Sequence, residues 1–181
     1  MPAERDEDEA AAEVISVQVE AGTDRIPVPG DLLVEGATKE RKNPSLYNEI
    51  AAMDMGQRVK LALRGNREAR QLLARDNNKI IRRMVLNNPR ISEEEVVNMA
   101  RDRNSTEDVL RIIADRSDWL KNYAVRRALV TNPKTPLPTA MRLLATLLLQ
   151  DLERIAKSKD VPQAVVIQAR KAVIEHRERR Q

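Results

Sequence analysis

The phrase "RRMVLNNPRISEEEVVNMARD", Arg82 to Asp102, is answered forty-four residues later by "RRALVTNPKTPLPTAMRLLAT", beginning at Arg126. Each copy reads as an apolar helix that ends in Asn-Pro, a tight turn, and a second apolar helix. A single amphipathic helix cannot bury its apolar stripe alone, so a unit written twice must pack against its neighbours. The longer units run from Leu73 to Ala100 and from Ile113 to Ala145. The second carries a four-residue insertion near Trp119 and one extra residue near Pro138. Fainter echoes precede and follow, in "LALRGNREARQLLARD" and "LERIAKSKDVPQAVVIQARKAV".

Start and stop signals place short helices along the chain from Ser45 onward. Asp54 with Gln57 and Ser92 with Glu95 have the spacing of capping boxes, and Ser105 with Asp108 has a weaker version. Asn66 and Asn77 or Asn78 are candidate N-caps, and Gly65 is a candidate left-handed stop. Asp118 precedes a helix expected to run through "WLKNYAVRRALV". Thr135 before Pro136, and Asp160 before Pro162, read as a cap followed by proline in the first turn. Asn88 and Asn132, each before proline, read as turn chemistry.

The chain has three aromatic residues, Tyr47, Trp119 and Tyr123, so its core must be aliphatic. That suits packed helices better than a sheet. There is no cysteine, which rules out disulfides and thiolate metal sites and fits a reducing compartment. No apolar run approaches the roughly 18 residues of a membrane span, and the start "MPAERDEDEA" is acidic where a signal peptide is basic. A cytoplasmic protein is expected.

Charge is uneven along the chain. Residues 1–25 carry −6 and the rest +10. With Gly22, Gly30, Gly36 and three prolines in the same region, residues 1–43 are expected to form a mostly disordered acidic arm. The arm could serve interaction or solubility, or fold back over the basic body. An apolar island, Ile26 to Gly36, lies within it. Residues 44–178 form the expected helical domain.

In "ADRSDWLKNYAVRRALVTNPKTPLPTAMRLLA" the chain resembles the bacterial leucine-rich repeat variant, closely over 73–147 and loosely over 54–175. It is more distantly similar to HEAT and armadillo repeats. The resemblance implies an all-α fold, a short right-handed α-solenoid of about four helix pairs used as a binding surface. The family's cysteine cluster for iron–sulfur binding has no counterpart here. The resemblance brings no catalytic residue.

Nothing in the sequence assembles a catalytic, cofactor or metal site. The one histidine, His176, lies in the polar tail "EHRERRQ"; Glu93, Glu94 and Glu95 suit a helix N-terminus; and the glycines form no phosphate loop. The candidate partner-binding residues are Trp119, Lys121, Tyr123, Arg126 and Arg127, with Arg82 and Arg83 as the earlier copy of the arginine pair. Lys134, Arg142, Arg170, Lys171, Arg177, Arg179 and Arg180 add to this basic set. The other reading is that the arginines lie along their own helices and pair with local acids. Trp119 and Tyr123 would fill core if packed inward. Outward, beside an insertion, they would mark a binding face. The expected function is a non-enzymatic scaffold that binds another protein. The alternative is sequence-independent nucleic-acid binding through the arginine ladder.

Overall fold

In a computed structural model the described residues are 3–37 and 43–178, and their regular structure is helical throughout, without a strand. The chain divides into two compact units, residues 1–91 and 92–181. No described helix is long and apolar enough to cross a membrane. Arg179 and Arg180 lie outside the described residues.

The first unit holds α1 (Ala3–Ala21), α2 (Asn43–Ala51), α3 (Met55–Arg64), α4 (Arg67–Leu73) and α5 (Lys79–Val85). Here the expectation of a mostly disordered arm over 1–43 is corrected for residues 3–37; residues 1–2 and 38–42 lie outside the described residues. Residues 3–21 form a helix packed on α3. Ala12 and Val19, seven apart and so on one face, are buried there. Gly22, at φ +70°, supplies the left-handed stop, and the Thr23 N–H closes back on the Gln18 carbonyl at 2.9 Å. The apolar island that follows is docked as well. Leu32 is fully buried in a 3-10 turn, Gly30–Leu32, and its carbonyl accepts from the Asn66 N–H at 2.7 Å.

Beside this apolar burial, the charge asymmetry visible in the sequence is used within the chain. Lys60 pairs with Asp24 at 2.6 Å and also donates to the Ile26 carbonyl. Arg83 pairs with Glu9, and Arg70 pairs with Glu35 at 2.7 Å. Arg64 takes up the last carbonyls of α1, at Val19 and Glu20, and so neutralises the negative end of that helix. The acidic segment folds back on its own basic body.

Gly65 also differs from expectation. Its backbone is extended, φ −62° and ψ 159°, not left-handed. Glycine is needed because a Cβ there would lie 2.3 Å from the Leu61 carbonyl oxygen. Its N–H bonds that same oxygen at 2.7 Å while Asn66 caps α4.

The second unit holds α6 (Glu93–Arg101), α7 (Glu107–Asp115), α8 (Ser117–Lys121), α9 (Tyr123–Thr131), α10 (Leu137–Leu144), α11 (Leu149–Ala156) and α12 (Gln163–Glu178). Its core is aliphatic, including Leu110, Ile113, Val125, Leu129, Leu144 and Val165, all 2 % exposed or less. The capping boxes at Asp54 and Ser92 form as their spacing predicts, and Asn78 rather than Asn77 caps α5. Ser105 does not cap. Its hydroxyl is buried and donates to the Met99 carbonyl at 2.6 Å, while Thr106 occupies the cap position with no side-chain bond. Thr135 is buried too, and Pro136 takes the cap with Pro138 in the first turn.

The repeated Asn-Pro does more than turn the chain. Asn88, 2 % exposed, accepts the Arg90 N–H and donates to the carbonyls of Ala62 and Gly65 at 2.9 and 3.3 Å. Asn132, 3 % exposed, accepts the Lys134 N–H and donates to the carbonyls of Ala100 and Asp102 at 2.8 and 3.1 Å. Each amide thus satisfies carbonyls at the C-terminal end of an earlier helix, α3 in one unit and α6 in the other. Those helices pack on α5 and α9 respectively.

Candidate functional site

The insertion around Trp119 produces a break. Instead of one helix from Trp119 to Val130, α8 ends at Lys121 and Asn122 adopts extended backbone. Asn122 then caps α9, its side chain accepting from the Ala124 N–H, while its amide donates to Glu93 at 2.6 Å. A short polar residue that bonds its own backbone competes with helix continuation, and here it wins.

Arg126, in the second turn of α9, reaches back to the carbonyls of Leu120 and Lys121 and so satisfies the end of α8. Its guanidinium carbon lies 5.4 Å from the Tyr123 ring centroid. Arg170 repeats the device forty-four residues on, donating at 2.9 Å to the carbonyl of Ala156, the last residue of α11. The spacing of 126 and 170 repeats an arginine that closes a helix end, whereas Arg82, forty-four residues before Arg126, makes no such bond through its buried Nε.

Trp119 lies outside the buried core, partly exposed on the five-residue helix α8. The Arg116 guanidinium stacks 4.4 Å from its ring centroid. Next to it, Lys121 and Asp118 are exposed and paired at 2.6 Å; hydrogen bonding and charge within the pair hold the carboxyl low and the ammonium high. Tyr123 turns elsewhere: its hydroxyl donates to Asp151 and accepts from the Leu148 N–H. Burial and then the bond to the Asp151 carboxylate push that phenol up.

Asp151 is 8 % exposed and gathers charge around it. Arg127 lies 3.6 Å and Arg154 3.7 Å from one of its oxygens. Both arginines open onto a cleft of about 320 Å³ floored by Ile155 and Val161. Arg116, Asp151 and Arg154 escaped the sequence reading because nothing local marks them. Tyr123 and Asp151 are 28 residues apart.

The second unit carries Trp119 and Lys121 on α8 and Tyr123, Arg126 and Arg127 on α9. Only Arg126 lies over Tyr123, and Tyr123 and Arg127 share Asp151 away from Trp119. Arg82 and Arg83 belong to α5 in the first unit, where Arg83 holds Glu9 and the Nε of Arg82 is buried without a hydrogen-bond partner. Among the described residues no three histidines or carboxylates are placed to hold a metal. No protein-family model matches the chain, and no curated protein or solved structure matches it significantly.

Proposed function

We propose that the chain is a non-enzymatic adaptor of the helical-repeat kind, with its repeats stacked as a short solenoid like that of the leucine-rich repeat variant. It binds another protein through the α8–α9 surface. The repeat reading is supported by the two Asn-Pro brackets forty-four residues apart. The binding reading is carried by one observation: the chain's single tryptophan stands outside the core, beneath Arg116, on a helix the repeat does not need. Tryptophan and arginine are the residues that most often anchor interfaces. Nucleic-acid binding has less support, because Arg83 and Arg127 each already lie against a carboxylate that offsets their charge, and the acidic segment docked beside Arg83 repels phosphate.

A photo-crosslinking residue at Lys121, with the same residue at Glu94 as control, tests the proposal in cells. The expected result is a discrete adduct to one protein from position 121, absent from position 94 and lost on Trp119→Ala. Adducts that vanish with nuclease treatment would transfer the site to nucleic acid, and equal adducts from both positions would remove it.

A further inference from the structure

Two helices of the chain turn apolar side chains to solvent at the spacing of a coiled-coil seam, a stripe of four on α1 and a pair of isoleucines one heptad apart on α12. On α1 the stripe is Ala10, Val14, Val17 and Ala21, at intervals of four, three and four; Val14 is 60 % and Val17 66 % exposed. On α12 the same intervals hold Ile167, Lys171, Ile174 and Glu178, the two isoleucines alternating with charged residues; Ile167 is 46 % and Ile174 56 % exposed. Each helix buries its other face in its own unit, through Ala12 and Val19 on α1 and through Val165, Val166, Ala169 and Val173 on α12. The exposed stripes therefore have no role in folding their units.

The charges beside the stripes name the occupant. Glu13 and Glu20 are exposed at the positions just before Val14 and Ala21. Arg170 and Arg177 are exposed at the positions just before Lys171 and Glu178. When two such helices run antiparallel, these flanking positions face each other, so Glu13 meets Arg177 and Glu20 meets Arg170. In the same register Val14 packs beside Ile174 and Ala21 beside Ile167, while Val17 and Ala10 lie against the aliphatic stems of Lys171 and Glu178. Pairing α1 with α1 would set glutamate against glutamate, and pairing α12 with α12 would set arginine against arginine. Only the mixed pair is attractive.

We propose that the chain self-associates, α1 of one copy packing antiparallel on α12 of another. Arg177 already donates one nitrogen to Glu153 and Arg170 its Nε to Ala156; a guanidinium has five N–H donors, which leaves others for the incoming glutamates. The seam is two heptads long, short of the roughly 1,200 Å² of a stable interface. Association is therefore weak, concentration-dependent and reduced by salt.

Sedimentation of the full chain at low salt, from micromolar to millimolar concentration, tests this. The weight-average mass should climb above the 20.5 kDa of one chain. Glu13→Arg/Glu20→Arg should weaken association roughly tenfold, as should Arg170→Glu/Arg177→Glu. An equimolar mixture of the two variants should associate again, because each restores the other's complement. Val14→Lys/Val17→Lys, altering two exposed side chains only, should also give a monomer with unchanged circular dichroism. A wild-type chain that stays monomeric throughout would overturn the proposal. So would variants that are folded yet fail to re-associate on mixing, or association that survives both reversals.

Discussion

Replacing Asn132 by alanine tests whether the Asn-Pro phrase is a structural bracket or only a turn. The substitution removes two donations, to the carbonyls of Ala100 and Asp102, and one acceptance, from the Lys134 N–H. Lys134 is exposed and its N–H can rehydrate; Ala100 is wholly buried and its carbonyl is stranded. A lost bond costs about 0.5–1.5 kcal/mol net and a stranded buried group about 1–3 kcal/mol, so Asn132→Ala should cost about 2–4 kcal/mol. Urea unfolding followed by Trp119 fluorescence measures it. Asn132→Asp sharpens the test, because it keeps the acceptor but turns a carboxylate oxygen towards two carbonyl oxygens. Its folded pKa must rise above the unfolded value near about 3.9. The variant then loses stability as pH rises between the unfolded and folded values, and regains it on acidification. An alanine cost below about 0.5 kcal/mol, or an aspartate variant indifferent to pH, would refute the bracket.

Leu32→Ala, in the segment the sequence assigns to a loose arm, should cost about 2–5 kcal/mol, because Leu32 is fully buried; denaturant titration reads it. Gly65→Ala should destabilise by on the order of 2 kcal/mol or more, since its Cβ would meet the Leu61 oxygen at 2.3 Å. Lys60 holds Asp24 below the usual carboxylate range through its hydrogen bond, against burial, and Arg83 does the same for Glu9. Burial opposes the shift at Glu35, but Arg70 and the Arg67 N–H prevail and hold it low as well. Folded values below the unfolded ones mean that docking is full above about pH 4–4.5 and is lost as pH falls through the depressed values; amide exchange in residues 3–37 should accelerate there and not at neutral pH.

Local signals were legible where the physics is local. The boxes at Asp54 and Ser92 and the caps at Asn66 and Asn78 each join residues no more than three positions apart, and they formed. The docked α1 was not legible, because its anchors are remote: Glu9 meets Arg83 across 74 positions and Asp24 meets Lys60 across 36. Glycine and proline at 22–36 dominated the reading of the whole first segment, although the residues before them have a helical stripe. Gly65 is required for a reason other than a left-handed stop. Its constraint is a close approach to Leu61, which leaves no trace in a sequence. At the candidate site the insertion pointed to Trp119 and Tyr123, but Asn122 was not recognised as a break. The partners Arg116 and Asp151 became visible only when folding brought them close.

The central claim is that Trp119 is displayed for a partner and is not a core residue. The direct measurement is the free energy of unfolding of Trp119→Ala, followed by circular dichroism because the substitution removes the fluorophore. A displayed tryptophan stacked under Arg116 should cost below about 2 kcal/mol when truncated. A loss of about 3–5 kcal/mol, the cost of emptying a packed core site, would contradict the account.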